Sequence, residues 1–272
     1  MPIIAVGGWE PPDMIGLCEV ENFQVLLDLT SETPLKKFSY QVIHENSMDS
    51  RGIDVALRYR SEKLNKVSHQ MIRFGVDEGI ITRDIFFVTF GIMDKDMFSI
   101  YINHWPSCYG GKEFTEEKRL LPANTLRAHI NDVILKNTAS QIAIMGDFND
   151  EPNDESLHDI IKANSVKHAA ISHDSPLASN ELYNLSSPDF QQGRRTLTSK
   201  EIDHTWFLFD QIIVTGTLLE GDGLQTMGMQ SHIFSADWFL ENGRPKRTYQ
   251  GPIYTGGFSD HLPIFLDLYY KK

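Results

Sequence analysis

The chain has 272 residues, 41% hydrophobic and 23% charged, which fits a globular protein able to bury a substantial core. Its formal net charge of −12 does not suit a protein that grips nucleic acid nonspecifically through many Lys and Arg contacts. A local basic rim stays open, and clustered acids suit a cation site. No apolar run approaches the roughly 18 residues of a membrane span, so no membrane-spanning helix is expected.

The opening "MPIIAVGGWEPPD" lacks a basic region followed by a long apolar one, so it does not read as a signal peptide, and localisation stays open. "MIGLCEV" (Met14 to Val20) reads as a buried strand entered through a turn. Cys18 lies in it; Cys108 is the other cysteine, and no zinc-type spacing exists. Asn22 to about Leu29 carries a helical stripe. Strands are expected at Tyr40–His44, Ile53–Tyr59, Val67–Phe74, Asp84–Ile92 and Phe98–Trp105. Glu116 to Leu135 reads as a helix with Leu120, Leu121, Ala128, Ile130, Val133 and Ile134 toward the core. "QIAIMGDFND" is a strand ending in polar residues, and "PNDESLHDIIKA" reads as a capped helix. Residues 169–201 and 218–255 have no clear period. "WFLFDQIIVTG" and "HLPIFLDLYY" are strands. Hairpins imply antiparallel pairing, and the strand–helix–strand at Phe98–Gly146 allows one parallel neighbour. The expectation is an α+β fold in a single domain, residues 1–272.

Polar residues collect where these apolar runs stop: Glu19, His104, Asp147 with Asn149, Asp210, and Asp260 with His261. A carboxylate in such a place is costly unless paired, hydrogen-bonded or metal-bound. Each residue alone has a bland explanation as a turn cap or rim side chain. Together they point to chemistry. Glu19 offers a hard oxygen to Mg²⁺, which takes one or two protein carboxylates and keeps several waters. Asp147 can take a proton from water while Asn149 donates to an anionic oxygen. His104 and His261 suit contacts to phosphate, and Asp210 suits orienting an imidazole. Neighbours on a strand face opposite ways, so Asp260 and His261 can serve a cation and a scissile group from one turn. Asp54 reads as an outward strand residue, and His44, His129, His158 and His204 read as structural.

In this order, "CEVEN", "NHWPS", "GDFNDEP", "DQIIV" and "SDHLP" resemble the endonuclease/exonuclease/phosphatase superfamily, the deoxyribonuclease-I-like group. The resemblance spans Ile15 to Leu268. It implies a four-layer α/β/β/α sandwich of two mixed β-sheets and Mg²⁺-dependent (or Mn²⁺-dependent) phosphoester hydrolysis, as a phosphodiesterase, nuclease or phosphatase. By motif it implies that Glu19 binds metal. Asp260 is matched to a metal-site or water-site aspartate. His104, Asp147, Asn149, Asp210 and His261 are catalytic, Asp210 as the acid that orients the terminal histidine. Asp54 is a candidate partner of His104. Substrate is not implied: nucleic acid, inositol phosphate and phospholipid all occur in the superfamily. Two departures accompany the match. The family's first strand, which carries an asparagine, has no counterpart upstream of Glu19. Cys108 stands where relatives with "HWPS" carry arginine, leaving Arg51, Arg58 and Arg119 as substitutes for that charge. The alternative is a weak or inactive phosphate-ligand or partner-binding protein on the same scaffold.

Overall fold

The computed structural model describes residues 10–76, 79–92, 96–166, 177–198 and 205–271. Three strands, β1 (Met14–Val20), β2 (Tyr40–His44) and β3 (Asp54–Arg60), form an antiparallel sheet in the order β1-β3-β2. β3 is central, and its residues from Asp54 to Tyr59 are all buried. Helix α1 (Phe23–Ser31) covers one face, with Leu26 against Val20 and Ala56. Its Asn22 cap accepts the Val25 amide at 3.0 Å, closing one of the helix's orphan donors. Arg58 is buried on the same side, over the Tyr40 ring and donating to Thr30.

The larger sheet is mixed. It contains β4 (Asn65–Ile72), β5 (Ile85–Ile92), β6 (Asp96–His104), β7 (Gln141–Asp147), β8 (Ala163–Ser165) and β9 (Leu182–Asn184). A small ladder, β10 (Leu197–Thr198) with β11 (Trp206–Phe207), precedes its seventh member, β12 (Asp210–Thr215). The order is β4-β5-β6-β7-β12-β9-β8. Two pairs are parallel, β6 with β7 and β8 with β9. Helix α2 (Lys112–Lys136) makes the first crossover, as a parallel pair requires. Its Ala123, Leu126, Ile130 and Ile134 pack on Tyr101, Ile142, Ile144 and Ile213 of the sheet. The opposite face of that sheet offers Phe86, Val88, Phe90, Ile100, Ile102 and Val214 to Val55, Leu57 and Tyr59 of β3.

The chain then pairs in short pieces. β13 (Gly223–Thr226) pairs with β20 (Leu268–Lys271), and β14 (His232–Ile233) with β19 (Ile264–Phe265). Between them lie two hairpins, β15 (Leu240–Glu241) with β16 (Arg244–Pro245) and β17 (Tyr249–Gln250) with β18 (Ile253–Tyr254).

The α+β class stands, with differences in detail. Among the described residues the smaller layer is an antiparallel sheet beside two-stranded pairs, rather than a second mixed sheet. "HLPIFLDLYY" and "WFLFDQIIVTG" each break into two short strands. "PNDESLHDIIKA" forms one wide turn, Ser156–Ile160, closed by the Ile161 amide on the Ser156 carbonyl at 3.0 Å. α2 begins four residues before the expected Glu116, because Gly111 provides no side-chain cap to mark the start. Ala128 lies exposed, since the buried stripe runs through 119, 123, 126, 130 and 134. The expected absence of an asparagine-bearing first strand concerns residues that fall partly outside the described ones.

Candidate active site

The functional side chains gather where β1, β6 and β7 end and β12 begins. β6 and β7 run in register to their last residues, so His104 lies opposite Asp147. β12 pairs antiparallel with β7, so Asp210 lies opposite Asp147 from the other side. One glycine permits this closeness. Gly146 has φ +140°, and a Cβ there would meet the Asn103 carbonyl oxygen at 2.0 Å. Three strand ends therefore deliver an imidazole and two carboxylates to one spot.

Asp147 is held from several directions. Its Oδ1 accepts the Asn149 amide at 2.9 Å and its Oδ2 the Asn149 side-chain amide at 3.2 Å. Asn149 adopts φ 52°, the left-handed conformation that asparagine tolerates. Its Nδ2 also donates to the Trp105 carbonyl at 3.0 Å. Both amide protons are thus engaged, and as placed Asn149 orients Asp147. Burial pushes the Asp147 carboxyl up to about 7; nearby His261 opposes that rise and Asp210 adds to it.

His261 follows the turn Ser259–Asp260. Its backbone amide donates to Ser259 Oγ at 3.1 Å, and its Nδ1 donates to Asp210 Oδ2 at 2.7 Å. The expectation that Asp210 orients one imidazole matches this contact. Burial disfavours the imidazolium, but Asp210, Asp147 and Asp260 outweigh it and raise the group to about 10. His261 is therefore a cation at neutral pH.

His104 differs. It is buried, and burial together with Arg83, His261 and Arg51 holds it well below the usual imidazole range. It is neutral. Its Nε2 lies 3.6 Å from Asp147 Oδ2, and its buried Nδ1 has no hydrogen-bond partner. Asp54 does not serve it, and is not an outward residue either. Asp54 is buried and takes His44 Nε2 at 2.9 Å and the Ser47 amide at 2.8 Å. Phe23 stacks on the His44 ring at 6.2 Å.

Glu19 is exposed, not buried as its apolar flanks imply. Between Leu17 and Val20 the strand runs three steps against two on β3, and Glu19 takes φ 58°. This is a β-bulge, which re-aims a side chain. Behind it, burial and the carboxylates of Asp147, Asp210 and Glu19 all push the Cys18 thiol up. Three carboxylates thus lie within electrostatic reach of this thiol. Asp260 is 42% exposed and pairs with Arg247 at 3.6 Å, so the two neighbours in "SDH" do serve different places. As placed, Asp260 answers a guanidinium rather than joining Glu19. Among the described residues no three His, Cys, Asp or Glu side chains converge into a protein cage for a metal. A single exposed carboxylate nevertheless fits Mg²⁺, which keeps most of its ligands as water or phosphate oxygen.

Two contributors carry no local sequence signal. Arg83, buried, donates to the carbonyls of His104 at 3.2 Å and Trp105 at 2.6 Å and to Asp49 at 3.0 Å. Asp49 in turn grips Arg51 through Nε and Nη2, both at 3.1 Å. Of the three candidate arginines, Arg51 alone stands at the mouth, 56% exposed, where its charge reaches both Glu19 and His104. Arg58 lies under α1, and Arg119 is buried on Asp150 at 2.6 Å.

Residues 2–270 match a sequence profile described as the Endonuclease/Exonuclease/phosphatase family. No curated protein is matched by the sequence. Among solved structures, the human Nocturnin catalytic domain with bound sulfate is similar at TM-score 0.58 and 18% identity, over 96% of this chain and 82% of that one. TDP2 from D. rerio complexed with single strand DNA product gives 0.56 and 14%, over 95% and 86%. A mannosyl-6-phosphatase from Bacteroides thetaiotaomicron gives 0.56 and 15%, over 94% and 85%. At these identities the likeness is one of fold.

Proposed function

Starting from the premise that the chain belongs to the endonuclease/exonuclease/phosphatase family, we propose that it is a metal-dependent phosphoester hydrolase whose reaction runs at Asp147 and His261. The observation that carries this reading is the pairing of a buried carboxyl near pKa 7 with an imidazolium locked on Asp210. Opposed protonation tendencies in neighbouring groups are the usual mark of an acid–base site.

Asp147, ionised, accepts the proton of an attacking water, and Asn149 keeps its lone pairs aimed. His261 presents its free Nε2–H as a charged donor to a phosphate oxygen, and Asp210 behind it accepts from Nδ1 and holds the ring in place. Neutral His104 adds an uncharged hydrogen-bonding edge on the β6 side. Arg51 brings a second positive charge to the phosphate from the β1 side. Glu19 would hold a divalent cation such as Mg²⁺, which supplies Lewis-acid stabilisation of charge on the phosphoryl oxygens.

The test is turnover of bis-(p-nitrophenyl) phosphate, plasmid DNA, inositol phosphates and sphingomyelin, with Mg²⁺ or Mn²⁺ and with EDTA. Wild type should cleave at least one and stop in EDTA. Asp147→Asn and His261→Ala should each lose roughly 10²-fold or more in kcat, the scale of acid–base catalysis. Near-normal kcat in either variant contradicts the assignment.

A further inference from the structure

The segment Asn242–Gly257 has three cations, Arg244, Lys246 and Arg247, and no acid, in a chain with 37 acidic and 25 basic residues. It is bolted to the catalytic turn. The Phe258 and Ser259 amides donate to the Lys246 carbonyl at 2.8 and 3.4 Å. A Cβ on Gly257 would meet the carbonyl oxygens of Lys246 and Arg247 at 2.1 Å, so backbone lies on backbone with no room between. Arg247 reaches Asp260 at 3.6 Å and the Thr198 carbonyl at 2.8 Å. Asp260 directly precedes His261.

Beside this seam lies a small cleft whose lining includes Thr198, Glu241, Asn242, Arg244, Arg247 and Gln250. Its lining includes two arginines and one glutamate. Arg244 is exposed, and among the described residues no ion pair holds it. Arg247 is the positioned one and Arg244 the available one. Tyr249 and Tyr254 stand exposed on the second hairpin, edge to face at 5.4 Å, and Gln250 of that hairpin lines the cleft.

We propose that this cleft is a second anion subsite, which takes a further phosphoryl group of the substrate while the scissile one lies at Asp147 and His261. The inference rests on the hydrolase reading and sharpens it: the substrate carries at least two phosphates. A guanidinium matches a phosphate through paired N–H donors, and one ion pair joins the cleft to the turn that ends in His261. The second phosphate can come from a nucleotide backbone or from a polyol bisphosphate. The tyrosine pair separates the sources, because only a base offers a flat face to stack.

The experiment is calorimetric titration of the whole protein with thymidine 5′-monophosphate, thymidine 3′,5′-bisphosphate and inositol 1,4-bisphosphate, for wild type, Arg244→Ala, Arg244→Lys and Tyr254→Ala. At least one bisphosphate should bind wild type about tenfold or more tightly than the monophosphate, the scale of one charge-assisted contact. Arg244→Ala should erase that advantage and leave monophosphate binding unchanged, and Arg244→Lys should restore part of it. A nucleotide source adds a loss in Tyr254→Ala for the thymidine ligand alone; a polyol source adds none. Equal affinity for mono- and bisphosphates in wild type overturns the proposal, as does an equal drop for both in Arg244→Ala. Binding is read without turnover. A bisphosphate preference in a protein that cleaves no phosphoester would therefore remove the hydrolase reading and leave the subsite standing.

Discussion

The two sides of the mouth are built on different principles. On the β7–β12 side, Asp147, Asn149, Asp210 and His261 are largely withdrawn from water and hydrogen-bonded in two pairs, Asn149 on Asp147 and His261 on Asp210. On the β1 side, Glu19 stands exposed on a bulge and Arg51 is more than half exposed. The first side has its hydrogen bonds made by the fold before any ligand arrives. The second presents its charge at the surface, Glu19 on the bulge and Arg51 steadied by Asp49. Preorganised groups act without rearrangement at the moment of reaction, whereas exposed ones can admit and release an ion. Under the function proposed above, this contrast divides chemistry on one side from recruitment on the other.

The harshest way to break the contrast is at Gly146. Gly146→Ala forces a Cβ onto the Asn103 carbonyl at a positive φ, and should cost about 3 kcal/mol or more through strain and overpacking. Chemical denaturation should show it, and an unchanged midpoint would remove the steric reason for the glycine. Next comes Asp147→Asn, lethal to turnover by the proposal above. A carboxyl raised to about 7 favours its protonated form in the folded state. The native protein therefore loses stability as pH climbs from the unfolded value near 4 through 7. Asp147→Asn should raise Tm at pH 8 and change it little at pH 4. A fall in Tm at pH 8 would place Asp147 in a stabilising pair instead.

A subtler effect is expected from Asp210→Asn. His261 is held up to about 10 against burial chiefly by Asp210. Stability from that pair is complete below the unfolded imidazole value near 6.5 and is lost as pH rises toward 10. The variant should shift the alkaline limb of the kcat profile down by one unit or more, and an unmoved limb would assign it to another group. The smallest effect belongs to Glu19→Gln. Mg²⁺ should raise the wild-type Tm by mass action on the native state, and the rise should shrink in the variant. Equal rises in both proteins would take Glu19 out of the cation site.

Much of this was legible in the sequence, because apolar strands that stop at a polar residue mark the same end of a sheet. Asp147, Asp210 and His261 stood out for that reason; the meeting of the two aspartates followed from strand register, and His261 joins them from a turn. Glu19 was located but misjudged, since alternation along "IGLCEV" cannot foretell an extra residue that turns the side chain outward. Arg83 and the His44–Asp54 pair were illegible. A lone charge before a strand looks the same whether it faces water or spans two layers, and only tertiary packing chooses its partner. The start of α2 was hidden because two glycines and a lysine carry no capping signal. The hairpins between β14 and β19 were hidden because each strand is two residues long.

The contacts that define the mouth join distant parts of the chain: 51 positions separate His261 from Asp210 and 44 separate Asn149 from Trp105. Neither of these survives in a fragment or in a partly opened chain, although the Asp147–Asn149 contacts are local to one turn. Loss of function on heating should then trace the same curve as loss of the central sheet, with no inactive but folded stage before it. For anyone handling the protein, a simple rate measurement becomes a clock for the integrity of the entire molecule.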